Sequence, residues 1–193
     1  MRAGRKRKPG VMRDAKGKSR GLPDAIDPQS LAVRVRELRR DGIDADTARA
    51  FSRDPFAGFT LGRLRLIGIA AEKSGLIDPR AITHDQCDAG QRFANLCEMH
   101  ARIMGYAKGS PKSPALSLVS FGVSTADEPD EATIKRVRHQ FRASYDALIA
   151  AVGPAAARRC HDICQGWVRV DQMGEADFGN LRVALNALGK VLR

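Results

Sequence analysis

The hydrophobic positions of the chain are most regular between Glu131 and Gln165. Apolar side chains recur there at steps of three and four residues, which is the period of one face of an α-helix. This stripe consists of Ile134, Val137, Phe141, Tyr145, Leu148 and Val152. Gly153 favours a left-handed helix cap, and Pro154 favours the first turn of a new helix. The pattern predicts two consecutive helices that reverse direction at a Gly153-Pro154 corner.

Helical periodicity continues to the C-terminus. The apolar face after the corner consists of Cys160, Ile163, Cys164 and Trp167. Asp177 is a favourable capping residue, so we expect it to begin a final helix. The apolar side of that helix carries Leu181, Leu185, Leu188 and Leu192. Antiparallel packing of these helices would bury one shared core.

Two short helices are predicted near the N-terminus. Asp27-Pro28 begins the first helix and Gly42 ends it, while Asp44 to Arg53 forms the second. The apolar face of the first helix carries Leu31, Val35 and Leu38. A pair of short helices joined by a glycine-containing turn is compatible with a helix-turn-helix, although neither helix starts with polar, base-reading side chains.

A longer helix is predicted from the capping box formed by Thr83 and Gln86 to about Met104. Its buried stripe consists of Gly90, Phe93, Cys97, His100 and Met104, with Gly90 allowing another backbone to approach closely. Residues 60–70 fit either a strand or a helix, and we favour a helix because no partner strand is apparent.

These elements predict an all-α fold, an antiparallel helical bundle with a disordered basic N-terminal arm. The expected organisation is a disordered basic arm over residues 1–26, a small helical module over 27–80 and a helical core domain over 81–193. A flexible loop rich in Ser, Gly and Pro is expected at 105–128 within the core domain.

The positive charge is concentrated in the arm. The chain has a formal net charge of +11, of which residues 1–20 supply +8 through nine Lys or Arg and one Asp. Such a segment predicts phosphate binding, with a merely cationic or solubilising tail as the alternative. The candidate nucleic-acid-binding residues are Arg2, Arg5, Lys6, Arg7, Lys8, Arg13, Lys16, Lys18 and Arg20 in the arm, with Arg36, Arg39 and Arg40 on the first helix.

Metal and catalytic chemistry are not expected. Cys97-x-x-His100 and Cys160-x-x-x-Cys164 could supply four zinc ligands, but these positions coincide with predicted core stripes, so we favour packing over zinc. His161 and Asp162 are adjacent on a helix and should point about 100° apart, so no relay is expected. Without a nucleophile elbow or phosphate loop, the sequence predicts a non-enzyme with no cofactor and no small-molecule substrate.

Cysteine usage and hydropathy indicate the compartment. The four cysteines are expected to be reduced thiols, and no apolar run is long enough for a membrane helix. We expect a cytoplasmic protein of a bacterial host cell that does not bind membranes, with association with the virion as an alternative.

The C-terminal half resembles a known domain. RASYDALIAAVGPAAARRCHDICQ, LRVALNALGKVLR and Ala89-Gly90-Gln91-Arg92-Phe93 are similar to the uncharacterised C-terminal domain of alphaproteobacterial helix-turn-helix regulators and gene transfer agent activators. The similarity covers about Ile82 to Arg193. The basic start and Gly62 to Leu66, GRLRL, resemble short alphaproteobacterial phage and prophage proteins. The chain departs from the regulator domain at Gly166-Trp167-Val168 and at MGEADFGN.

The resemblance implies a phage-linked, DNA-associated role and transfers no functional residue. We therefore expect a non-catalytic DNA-associated protein that serves transcription control or DNA packaging. Its expected partner is DNA, mostly through nonspecific phosphate contacts, together with a possible homo-oligomer or phage protein partner. The alternatives are a small terminase subunit and a phage structural or assembly interaction protein.

Overall fold

A computed structural model describes residues 27–104 and 130–192. The predicted arm at 1–26 and the predicted loop at 105–128 lie outside the described residues. Within these two ranges the fold consists of helices and turns without a strand, which confirms the all-α prediction. The seven α-helices are α1 (Pro28–Arg40), α2 (Ala45–Phe51), α3 (Thr60–Lys73), α4 (His84–Ile103), α5 (Glu131–Val152), α6 (Pro154–Cys164) and α7 (Glu175–Val191). Two short 3-10 helices span Pro55–Gly58 and Val170–Gln172.

The predicted corner between α5 and α6 is confirmed. Gly153 has a positive φ of 81°, its N–H donates to the Ile149 carbonyl at 2.8 Å, and Pro154 is the first residue of α6. Leu148 of the predicted stripe is fully buried. A single non-helical residue is therefore enough to turn the chain and pack α6 against α5.

Helix α4 begins with the predicted capping box. The Gln86 N–H donates to Thr83 Oγ1 at 3.2 Å, and the Thr83 N–H donates to Gln86 Oε1 at 2.9 Å. At Gly90, however, a Cβ would lie 2.4 Å from Leu61 Cδ1 and 2.9 Å from Leu185 Cδ2. The close approach is thus made by two leucine side chains, so the expected backbone contact at this glycine is wrong.

Helix α3 occupies the ambiguous segment, and the preference for a helix there is confirmed. Its residues from Thr60 to Leu64 are all buried, as are Leu66 and Ile67. A helix enclosed on most sides needs no polar face, so its sequence loses the amphipathic period that distinguishes a helix from a strand. A Cβ at Gly62 would lie only 1.9 Å from the Phe56 carbonyl oxygen, so the 3-10 helix and α3 meet backbone to backbone.

Three surface details differ from the sequence prediction. Trp167 is 58% exposed because α6 ends at Cys164 and the chain turns at Gly166, so the helical period no longer applies to it. Met104 is also exposed, at the C-terminal end of α4. The N-cap residue of α7 is Gly174, not Asp177 as predicted. Asp177 lies in the first turn of α7, where its Oδ2 accepts a hydrogen bond from the Gly174 N–H at 3.1 Å.

The hydrophobic core draws on both predicted folded segments. Fully buried side chains include Leu38 of α1, Leu64 of α3, Phe93 of α4 and Leu181 of α7. α3 contacts both α4 and α6. Whether residues 27–80 and 81–193 fold as separate units stays a prediction.

Candidate functional site

The candidate basic surface within the described residues is the outer face of α1. Arg36, Arg39 and Arg40 are all exposed, and their three- and four-residue spacing places them on one side of the helix. The other nine candidate residues, from Arg2 to Arg20, lie in the segment that the structure does not describe. The three arginines therefore form the part of the predicted DNA contact whose position is known, and we call them the α1 arginine face.

The opposite side of α1 holds the helix in place. Leu38 is fully buried, and Arg34 Nη1 donates to the carbonyl oxygens of Ser52 and Asp54, each at 3.3 Å. Arg34 thus ties α1 to the end of α2 and is not available to a ligand. Because this inner side is fixed, the α1 arginine face is presented to solvent by a rigid helix.

Two carboxylates that neighbour this face in the sequence pair with an arginine of α3. Glu37 and Asp41 both form ion pairs with Arg63 of α3, and Arg63 Nε lies 3.0 Å from Asp41 Oδ2. Arg63 and Asp41 are buried, and burial raises the pKa of Asp41 to about 6 against the attraction of Arg63. Glu37 and Asp41 are thus both engaged with Arg63, and within the described ranges Arg36 and Arg39 form no ion pair. Asp171 interacts with Arg40, since its pKa is lowered by its hydrogen bond with Arg169 and also by the charge of Arg40.

The second helix of the predicted helix-turn-helix pair, α2, lacks the start of a base-reading helix. The N-terminus of α2 carries Asp44, which caps it through the N–H groups of Asp46 and Thr47, and Asp46 is itself in the first turn. Two carboxylates at this position would repel the phosphates that flank a DNA groove. Much of α3 is buried, so this helix cannot enter a DNA groove. The geometry of α1 and α2 therefore favours phosphate contact over sequence readout.

A second feature, which the sequence pattern did not reveal, is an open groove of about 320 Å³ between α5, α6 and the turn after α6. We call it the aromatic groove. Its lining consists of Phe141, Tyr145, Arg158, His161, Asp162 and Trp167. The Tyr145 and Trp167 rings meet the His161 ring edge-on at centroid distances of 6.2 and 5.5 Å. The signal that could have indicated it was the lone tryptophan just after Gly166, a glycine that ends a helix.

His161 and Asp162 do contact each other, so the expectation that they point apart is wrong. His161 Nδ1 lies 3.1 Å from Asp162 Oδ1. Adjacent helical residues diverge at their Cβ atoms, but both side chains are long enough to turn toward each other. Around the His161 ring are Phe93, Tyr145 and Trp167. No Ser, Thr or Cys is among the six residues that line the groove.

The cysteines occupy the core. Cys87, Cys97, Cys160 and Cys164 are all buried and free. Burial raises the pKa of Cys97 to about 12 and that of Cys160 to about 11, whereas a zinc ligand must be a thiolate. Among the residues that the structure describes, no three His, Cys, Asp or Glu side chains are grouped as metal ligands.

Comparison with known proteins gives no relative: no family model, no curated protein and no solved structure matches the chain. Within residues 27–104 and 130–192, no helix combines the length and apolar character needed to cross a membrane.

Proposed function

We propose that the protein is a non-catalytic DNA-associated protein of phage or prophage type, whose basic arm and α1 arginine face contact the DNA backbone. Transcription control and DNA packaging are the two roles that such a contact would serve. The phage assignment is supported by the sequence resemblance described above. The observation that carries the DNA contact is the α1 arginine face, which directly follows the arm in the chain.

Continuity of charge supports this proposal. Nine Lys or Arg residues precede α1, and Arg36, Arg39 and Arg40 extend the positive charge along its exposed side. Lys and Arg side chains that neutralise phosphates release condensed counterions, which makes binding strong at low salt and weak at high salt. A contact of this kind needs no base-reading helix, in keeping with the acidic start of α2.

Fluorescence anisotropy with a labelled DNA duplex, recorded over a series of salt concentrations, tests the proposal. The logarithm of the association constant should fall with the logarithm of salt by a slope of about 0.9 per phosphate contacted. Deletion of residues 1–21 should flatten the slope strongly. The variant Arg36→Gln/Arg39→Gln/Arg40→Gln should reduce it by roughly 1 to 3, because each lost phosphate contact contributes about 1.

A matched control removes the same charge from another helix. Arg136, Arg138 and Arg142 are exposed on α5, so Arg136→Gln/Arg138→Gln/Arg142→Gln should leave duplex binding nearly unchanged. Equal losses in both triple variants would show that only total charge matters. Unchanged binding after both the deletion and the α1 substitutions would refute the proposal.

An interaction or assembly protein is the second candidate, favoured by one observation. Leu76 and Ile77, in the turn between α3 and α4, are 68% and 96% exposed. Two adjacent apolar side chains in solvent suit a protein contact better than a DNA contact. Light scattering distinguishes the roles: a ring-sized oligomer that dissociates on Leu76→Ser/Ile77→Ser would favour assembly or a small terminase, whereas a monomer or dimer would count against packaging.

A further inference from the structure

We infer that the aromatic groove binds an unpaired base of single-stranded DNA. The inference goes beyond the proposed duplex contact, because it stands on α5, α6 and Trp167 and uses neither the arm nor the α1 arginine face. It requires three properties of the groove: an accessible aromatic face, a cationic rim and space for a base.

Trp167 provides the accessible face. Its backbone is fixed, since Gly166 takes a positive φ of 71° and the Trp167 N–H donates to the Asp162 carbonyl at 3.0 Å. Its ring meets the His161 ring at 77°, an edge-on contact, and its side chain is more than half exposed. An exposed aromatic side chain on an anchored backbone is the kind of platform on which proteins stack nucleobases.

The groove wall extends this platform along α5. The Phe141 ring lies against that of Tyr145 at a centroid distance of 5.9 Å, and the His100 ring stacks on Phe141 at 4.0 Å with an interplanar angle of 7°. Phe141 thus packs between the rings of His100 and Tyr145. An ordered aromatic wall loses little conformational entropy when a base inserts beside it.

The rim carries the charge that a nucleotide requires. Arg158 lines the groove, is exposed and forms no ion pair within the described residues. A phosphate that flanks a stacked base would thus meet the Arg158 guanidinium.

Asp162 is the one carboxylate among the six lining residues, and its contact with His161 occupies one of its oxygens. A proline-rich peptide also binds aromatic grooves, but it needs no cationic rim. The combination of an exposed tryptophan and an exposed arginine, Arg158, therefore favours a nucleotide over a peptide. The volume, about 320 Å³, is at the lower end of ligand pockets, which suits a base inserted singly.

The strand must be unpaired, because the faces of bases in a duplex are already covered by their neighbours. This gives a sharp test, since Trp167 is the only tryptophan of the chain and its fluorescence reports on this groove alone. An oligothymidylate of about eight nucleotides should quench the fluorescence of the full-length protein. An abasic oligonucleotide of the same length and a duplex of the same length should bind without comparable quenching.

Substitutions test whether oligothymidylate binds in the groove. Affinity is measured by the anisotropy of a labelled oligothymidylate, at a salt concentration high enough to suppress binding through phosphates alone. Trp167→Ala should weaken binding by at least about fivefold, as expected for one stacked base, and Trp167→Phe should recover much of the affinity. Arg158→Ala should weaken binding, whereas Arg53→Ala, which removes an exposed arginine outside the groove, should not. Circular dichroism confirms that each variant is folded.

Two results would overturn the inference: equal quenching by the abasic and thymidine oligonucleotides, or binding that Trp167→Ala and Arg158→Ala leave unchanged. Tighter binding of an oligouridylate would also overturn it, in favour of RNA. The α1 triple variant separates this inference from the proposed function. It should reduce duplex binding and leave the thymidylate-induced quenching of Trp167 intact.

Discussion

Arg63 Nε of α3 lies 3.0 Å from Asp41 Oδ2 at the C-terminal end of α1, and both side chains are almost completely buried. Glu37 also pairs with Arg63. The three groups form a buried ionic link between the helix that carries the α1 arginine face and the centre of the core. The atoms Arg63 Nε and Asp41 Oδ2 have no hydrogen-bond partner of good geometry, so the link depends on charge attraction.

Breaking this link from the cationic side should be costly. Arg63→Met leaves the Asp41 charge buried without a partner, and we expect the free energy of unfolding to fall by about 3 to 5 kcal/mol. The matched control is Arg49→Met, which removes an exposed pair with Asp46 and should change stability by less than about 0.5 kcal/mol. Urea denaturation gives both values, and a loss below about 1 kcal/mol for Arg63→Met would contradict the buried pair.

The pH dependence of stability should show the raised pKa of Asp41. Burial, partly opposed by Arg63, raises it from an ordinary 3.8 to about 6, so the folded state binds a proton more tightly than the unfolded state. Proton binding by Asp41 therefore contributes to the free energy of unfolding fully below pH 3.8, and this contribution is lost as the pH rises through 6.

Asp41→Asn cannot titrate and isolates this effect. Relative to that variant, the wild type should lose stability between about pH 4 and pH 6, by up to about 3 kcal/mol for a shift of this size. Unfolding free energies of both proteins at several pH values provide the test. If the free energy of unfolding of the wild type rises relative to that of Asp41→Asn over this interval, the attraction of Arg63 outweighs burial and lowers the pKa of Asp41 instead.

The register of α5 can be tested with two adjacent residues. Leu148 is fully buried and Ile149 is 38% exposed. Leu148→Ala should destabilise the protein by about 2 to 5 kcal/mol through lost burial and a cavity. Ile149→Ala should cost much less, and similar losses for the two variants would show that the assigned face is wrong.

Two glycines should respond in opposite directions to alanine. A Cβ at Gly62 would collide with the Phe56 backbone, so Gly62→Ala should lower the free energy of unfolding by about 1 to 3 kcal/mol or more. Gly179, within α7, has no atom within 4 Å of the added Cβ. Gly179→Ala should therefore stabilise the protein by roughly 0.5 to 1 kcal/mol through its higher helix propensity. Thermal unfolding distinguishes the signs.

The thiols should be unreactive in the native state. Burial raises the pKa of each cysteine, that of Cys87 to about 12, so little thiolate is present at neutral pH. Ellman's reagent at pH 8 should modify native protein slowly and titrate four thiols after denaturation. Rapid modification of the native protein, or an increase in Tm on adding zinc, would contradict buried packing.

The sequence predicted the features that depend on local chemistry. The cap at Thr83, the Gly153-Pro154 corner and the stripe containing Leu148 follow from hydrogen-bonding needs, backbone freedom and helical period, all of which act over a few residues. At residues 60–70 the sequence favours a helix only for lack of a partner strand, because a helix enclosed on most sides leaves little polar face to indicate its period.

Two kinds of feature could not be predicted from the sequence. They depend on where a helix ends and on contacts between helices that are distant in sequence. The helical period, extended beyond Gly166, places Trp167 in the core, whereas the helix ends at Cys164. The aromatic groove combines α5 with α6 and the following turn, so no short segment contains its pattern. The pairing of Arg63 with Asp41 and Glu37 likewise joins residues more than twenty positions apart, where sequence shows the charges but not their partners.

The Gly153-Pro154 corner has a consequence for how the chain assembles. Because one residue separates α5 from α6, their contact closes almost no loop and sacrifices little chain entropy. The packing of α4 on α7, by contrast, must join segments far apart in sequence. The α5–α6 hairpin thus has a low entropic cost of loop closure, and we expect it to form early in folding.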